Sequence, residues 1–184
     1  EEVPKNYLDQ IKNLLKKSKV VALGEIGLDY FKNISDKKIQ KNIFREQLEL
    51  AQEINVPIVF HNRDSDKDIL DTLSKFPDVI GVAHCFSSSY EVAKKLIDMG
   101  FYISFSGNLT FKNSHLPDVA KKLPLNKILV ETDSPFLSPV PHRGKVNEPG
   151  RTRFVAELLA KLHGSTINQI ASITTNNATN LFNL

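Results

Sequence analysis

Residues 128–139 read ILVETDSPFLSP. Ile128 to Val130 is a run of strand formers apolar enough to bury on both faces, yet it ends in Glu131 and Asp133 and breaks at Pro135 and Pro139. Burying a charge without a partner costs several kcal/mol. Carboxylates at the exit of a core strand therefore need a reason, and whether other strands end in the same way decides how the fold is read.

Working outward, four more short apolar stretches have strand character: VVALGEIG (20–27), PIVFH (57–61), VIGVAHCF (79–86) and FYISFSG (101–107). Helical patterns lie between them. Ile39, Ile43, Leu48, Leu50 and Ala51 form a stripe on a helix from about Asp36 to Ile54. SDKDILDTLSKF (65–76) opens with a cap-like Ser65 to Asp68 box, SYEVAKKLIDMG (89–100) closes on Gly100, and PDVAKKL (117–123) is a short helix. Leu8, Ile11, Leu14 and Leu15 mark a helix near the start, and two helices, at about 150–162 and 166–182, finish the chain.

Strict alternation, short connections and strands too apolar to face water predict a parallel sheet wrapped by helices. The Pro-rich stretch Pro135 to Pro149 reads as one long loop on the active face, and a single domain over 1–184 is expected. A closed eight-stranded barrel needs three strands beyond the five found, and usually about 250 residues. The pattern thus fits either an open sheet or most of a barrel lacking its beginning.

The polar residues fall in equivalent places. Glu25 ends the first strand, His61 the second and His84 the third, Ser104 and Ser106 lie at the end of the fourth, and Asp133 ends the fifth. In a parallel sheet all those ends point one way, so the side chains converge on one rim, where barrel enzymes place their sites. Two His and two carboxylates suit a Zn²⁺ or Mn²⁺ ion, whose charge offsets the desolvation of Asp133 and Glu25. Two such ions about 3.5–4 Å apart can hold the attacking and leaving oxygens of a phosphodiester. Each residue also has a plainer role: Glu25 as a salt bridge to Lys32, Asp133 as the acceptor of an Asx-type turn, either His as a structural hydrogen-bond partner. Cys85 is expected to point away from the rim as a small buried filler, and His115 and His163 to be solvated.

At these residues the chain resembles the TatD family of metal-dependent deoxyribonucleases, within the amidohydrolase-type TIM (β/α)8 barrels. GEIGLDY with Glu25, FHNRDSDKD with His61, AHCFS with His84, ISFSGNLTFKN, and ETDSPFLSPVPHRGKVNEP with Asp133 carry the likeness, from about Val20 to Leu184. The resemblance implies an incomplete barrel of about five parallel strands. It also implies two divalent ions (Mg, Mn or Zn) in the complete site: Glu25 bridging them, His61 and His84 on one, and Asp133 on the other as the group that handles the water's proton. DNA phosphodiesters, often taken from an end, are the implied substrate.

The departures matter as well. The family's His-x-His pair on its first strand has no counterpart, since the five histidines stand at 61, 84, 115, 142 and 163. The expectation is a chain lacking the family's N-terminal third, with the missing segment or another chain covering the sheet edge at VVALGEIG. FSSS (86–89) carries Ser88 where relatives commonly have Gly.

Arg63, His142, Arg143 and Lys145 are candidate phosphate contacts. Tyr30, Phe31 and Phe136 are candidate stacking partners for bases of a single-stranded or end-frayed DNA, with core packing the alternative. The net charge of +3 permits a nucleic-acid partner without requiring one. A single cysteine excludes an internal disulfide, and no apolar run reaches the roughly 18 residues of a membrane span. Both favour the cytoplasm and no membrane partner. The competing functions are another amidohydrolase-type reaction, on an amide, lactone or phosphotriester, and a catalytically incomplete chain that only binds a partner.

Overall fold

A computed structural model describes residues 3–32 and 34–184. Helices and strands alternate in it: α1 (Tyr7–Leu15), β1 (Leu23–Asp29), α2 (Lys37–Ile54), β2 (Ile58–Arg63), α3 (Asp66–Leu73), β3 (Gly81–Ala83), α4 (Tyr90–Asp98), β4 (Tyr102–Phe105), α5 (Leu116–Ala120), β5 (Ile128–Val130), α6 (Thr152–Leu162) and α7 (Ile167–Phe182). The five strands are all parallel and stand in the order β1-β2-β3-β4-β5. Each strand lies beside its successor in sequence, the winding of a TIM barrel. β1 and β5 are the outer strands of the described sheet. No helix among the described residues is long and apolar enough to cross a membrane.

Strand alternation sorts the core into two faces. Ile58, Phe60, Ala83, Ile103, Phe105 and Ile128 point into the large helix-covered core with Phe44, Leu48, Ile69, Leu96 and Leu159. Val59, Val82, Tyr102 and Leu129 point the other way, into a smaller cluster with Leu181 and Phe182 of α7. Two residues further along the same strands, on that second face, come His61, His84, Ser104 and Glu131. An apolar layer therefore supports a polar one, and the polar layer lies at the C-terminal ends of the strands.

β1 differs from the expected 20–27. It starts at Leu23, runs on to Asp29, and carries an extra residue: Leu23 pairs with Ile58 but Ile26 with Phe60. This bulge lets Leu23, Ile26 and Leu28 all reach the helix-covered core while Glu25 stays outside it. Gly27 is required two residues later. At φ 122° it lies so close to β2 that a Cβ would sit 2.2 Å from the His61 carbonyl oxygen. The close approach draws the backbone after Glu25 against that of His61.

The helix starts are partly as the sequence indicates. Asp36 accepts the Lys38 N–H at 2.8 Å at the start of α2, and Ser89 accepts from Val92 at 3.4 Å at the start of α4. Ser65 does not cap α3. Its hydroxyl donates to the Leu28 carbonyl and to Asn62 Oδ1, at 3.1 and 2.7 Å, and so ties the start of α3 to β1 and β2.

Candidate metal centre

The bulge of β1, the end of β2 and the turn after β3 bring three ligand atoms together. Glu25 Oε1 lies 3.0 Å from His84 Nε2 and 3.3 Å from His61 Nδ1, and the two ring nitrogens are 3.4 Å apart. Bonds of about 2.0–2.1 Å to a tetrahedral divalent ion place its ligands roughly 3.3 Å from one another. The triangle has the edges of one face of such a site, with donors suited to Zn²⁺ or Mn²⁺.

A carboxylate stands behind each imidazole, hydrogen-bonded to one of them. Glu131 Oε1 faces His84 Nδ1 at 3.2 Å and also accepts the Cys85 N–H at 2.7 Å, while Oε2 accepts from buried Ser104 at 2.7 Å. A proton on Nδ1 is thereby held toward Glu131, and Nε2 faces Glu25 and His61 across the triangle. On the other ring, His61 Nε2 is buried and makes no hydrogen bond, but Asp29 Oδ2 lies 3.5 Å away. That separation is within ion-pair range and beyond a formed hydrogen bond. The second oxygen of Asp29 accepts the N–H groups of Phe31 and Lys32, both at 3.0 Å.

The electrostatics favour positive charge at this point. Burial disfavours charging His84, yet its hydrogen bonds to Glu131 and Glu25 outweigh that and push its pKa up to about 10. The hydrogen bond to His84 holds Glu25 below the usual carboxylate range, and burial holds His61 below its ordinary value despite Glu25. The sequence marks Glu131 only as a strand-exit carboxylate with no role assigned, and Asp29 is not among its candidates. Alternation from Leu129 leads to Glu131, since the side chain two positions on shares its face; Asp29 lies beyond the expected end of β1. Glu131→Gln should weaken binding of Zn²⁺ or Mn²⁺ by about 10- to 100-fold, measured by isothermal titration; unchanged affinity would remove Glu131 from this role.

Asp133 faces the same cleft, of about 450 Å³, which Glu25, Asp29, His61, His84, Cys85, Arg63 and Phe136 also line. Its φ is 57°, and the turn there is closed by its backbone carbonyl, which accepts from the Phe136 N–H at 2.8 Å. Among the described residues the Asp133 carboxylate makes no hydrogen bond, so the Asx-type turn is not formed. Burial holds the carboxyl above the usual range. The loop is clamped from behind by Asn147, whose side-chain N–H group donates to the carbonyls of Thr132 and Phe136, both at 2.8 Å. Arg151 donates to Ser138 Oγ at 2.7 Å and to the Val146 carbonyl at 2.8 Å.

The structure brings Arg63 to the cleft but not His142 or Arg143, which are absent from its lining. His142 packs edge-on against Phe154, with centroids 5.0 Å apart, and the Arg143 guanidinium lies over Phe111 at 3.7 Å and donates to the Ser138 carbonyl. The loop reaches the cleft with Phe136 and Leu137, and beyond them it turns toward α6. Cys85 does line the cleft, because the chain leaves β3 at Ala83 and turns through φ 46° at Cys85, where strand alternation no longer applies. Burial pushes its thiol up to about 12, and its sulfur is not part of the Glu25, His61 and His84 group. His115 and His163 are not simply solvated: their Nε2 atoms bond the carbonyls of Ser88 and Ala120, at 3.1 and 3.0 Å.

The chain is similar in sequence and fold to known proteins. The family model described as TatD related DNase matches residues 1–183. The uncharacterized metal-dependent hydrolase YabD of Bacillus subtilis is 49% identical over 177 residues, covering 95% of this chain and 69% of its own length. The uncharacterized metal-dependent hydrolase YcfH of Escherichia coli K12 is 45% identical, covering 96% and 68% respectively. The crystal structure of YJJV, a TatD homolog from Escherichia coli K12, is similar with a TM-score of 0.92 at 32% identity, covering 99% of this chain and 72% of that one.

Proposed function

The chain belongs to the TatD-related DNase family of metal-dependent hydrolases, and from that premise we propose that it hydrolyses phosphodiester bonds of DNA, working from a strand end. The observation that carries the reading is the triangle of Glu25 Oε1, His61 Nδ1 and His84 Nε2 at 3.0–3.4 Å, with Asp133 facing the same cleft. In this reading the triangle holds one divalent ion (Mg, Mn or Zn), and Glu25 with Asp133 contributes to a second in the complete site. Such ions supply Lewis-acid polarisation of a phosphoryl oxygen and compensate its charge.

The remaining work falls to side chains. Glu131 holds the His84 ring by a hydrogen bond to Nδ1, and Asp29 places a carboxylate within ion-pair range of His61 Nε2. Asp133 accepts the proton of the attacking water at its carboxylate, a role supported by that group's lack of a hydrogen-bond partner among the described residues and by the burial that raises its basicity. Arg63 approaches the phosphate from the β2 side of the cleft.

The test is incubation of the protein with 3′-labelled single-stranded DNA in the presence of Mg²⁺, Mn²⁺ or Zn²⁺. Shortening of the strand that stops with a chelator and resumes on adding the ion is the expected result. Intact DNA with every ion would overturn the reading and return the site to the hydrolysis of amides, lactones or phosphotriesters.

A further inference from the structure

Two phenyl rings stand out on the rim. Phe31 is 63% and Phe136 66% exposed. Single exposed hydrophobic residues are common and mean little on their own, so what counts is where these two lie and what holds them. Phe136 lines the cleft with Glu25, His61, His84 and Asp133. The Phe31 ring lies against the Arg63 guanidinium, 3.9 Å from it, and Arg63 and Lys32 line the cleft too.

Both rings are anchored through groups of the site itself. The Phe31 N–H donates to Asp29, the carboxylate facing His61, at 3.0 Å. The Phe136 N–H donates to the Asp133 carbonyl at 2.8 Å, and its own carbonyl accepts from Asn147 at 2.8 Å. The backbones that carry the two exposed rings are therefore tied to the candidate metal and proton-handling groups. Beside them, Lys32 and Arg63 form no ion pair among the described residues, so their charges are available to an anion. Flat apolar faces beside unpaired cations fit a ligand that is aromatic and phosphorylated at once.

We propose that Phe31, Phe136, Lys32 and Arg63 form a nucleotide subsite that stacks unpaired bases of single-stranded DNA on the two phenyl rings and meets the neighbouring phosphates with the two cations. This rests on the DNA reading of the site. A base within a duplex is already stacked on its neighbours, whereas a single strand offers its π-faces to a ring, each such stack being worth about 1–3 kcal/mol or roughly 5- to 150-fold in affinity.

The test compares binding of a fluorescent oligothymidylate and an abasic strand of equal length by anisotropy, with chelator present to prevent cleavage. The protein should bind the base-bearing strand about 5- to 150-fold more tightly. Phe31→Ala and Phe136→Ala should each cut that ratio about fivefold or more, and Phe136→Trp should keep it. Lys32→Ala should weaken both strands alike and reduce the salt slope by about one. No preference for the base-bearing strand, or a preference untouched by both alanine variants, overturns the subsite. Cleavage of the same strands on adding metal reports separately on the hydrolytic reading. Base-dependent binding without cleavage overturns the nuclease and leaves the subsite, and cleavage without base preference does the reverse.

Discussion

Replacing Asp133 by Asn lowers kcat by about 10²- to 10⁴-fold, the usual contribution of a general base, while ion binding at Glu25, His61 and His84 survives. The two effects separate because Asp133 faces the cleft without belonging to the ligand triangle. Asn keeps the shape of the carboxylate and cannot take a proton, and the turn at this position is made by the backbone, not by the side chain. The check is steady-state kinetics together with metal analysis of the purified variant. An unchanged kcat would assign the proton to another group.

Glu25→Ala should abolish ion binding as well as activity, because it removes the one carboxylate among the described residues that lies within 3.3 Å of both imidazoles. Glu25 Oε1 lies 3.0 Å from His84 and 3.3 Å from His61, so its loss leaves two nitrogens and no negative charge among them. The expected loss of kcat/KM is on the order of 10³-fold or more, the equivalent of roughly 4 kcal/mol of transition-state stabilisation, together with release of the ion. Folding should survive, since Glu25 is more than half exposed and stands outside the core. A thermal melt close to that of the parent protein, combined with metal content below it, separates loss of the ligand from loss of the fold. Retained metal and activity would place the ion elsewhere.

The parallel sheet was legible in the sequence because every strand is a short apolar run and every connection carries a helical stripe. The ligand triangle was legible for the same reason: once the strands are parallel, polar residues after their apolar runs must gather at one end. The bulge in β1 was not, since one extra residue between Leu23 and Ile26 leaves no mark on composition and shows only in the pairing with β2. It displaced the strand to Leu23–Asp29 and hid Asp29, which had been counted as part of a loop. Glu131 was hidden differently. As a residue it is visible at the exit of the fifth strand, but its role follows only from alternation, which puts the position two residues after Leu129 on the same face as His84.

The long loop after Asp133 was the least legible. Its basic residues are expected beside the rim as phosphate contacts, but contacts far along the chain set its course: Asn147 to the Thr132 carbonyl, Arg151 to Ser138, and His142 to Phe154. None follows a local pattern. The same limit applies to Cys85, whose direction depends on a turn begun as soon as β3 ends.

The central claim is that Glu25, His61 and His84 hold a divalent ion. Crystals of the protein grown with Mn²⁺ or Zn²⁺, measured at that metal's absorption edge, test it most directly. An anomalous peak about 2.0–2.2 Å from Glu25 Oε1, His61 Nδ1 and His84 Nε2 is the expected result. A peak bound by other residues, or none at this triangle with the ion in excess, would contradict it.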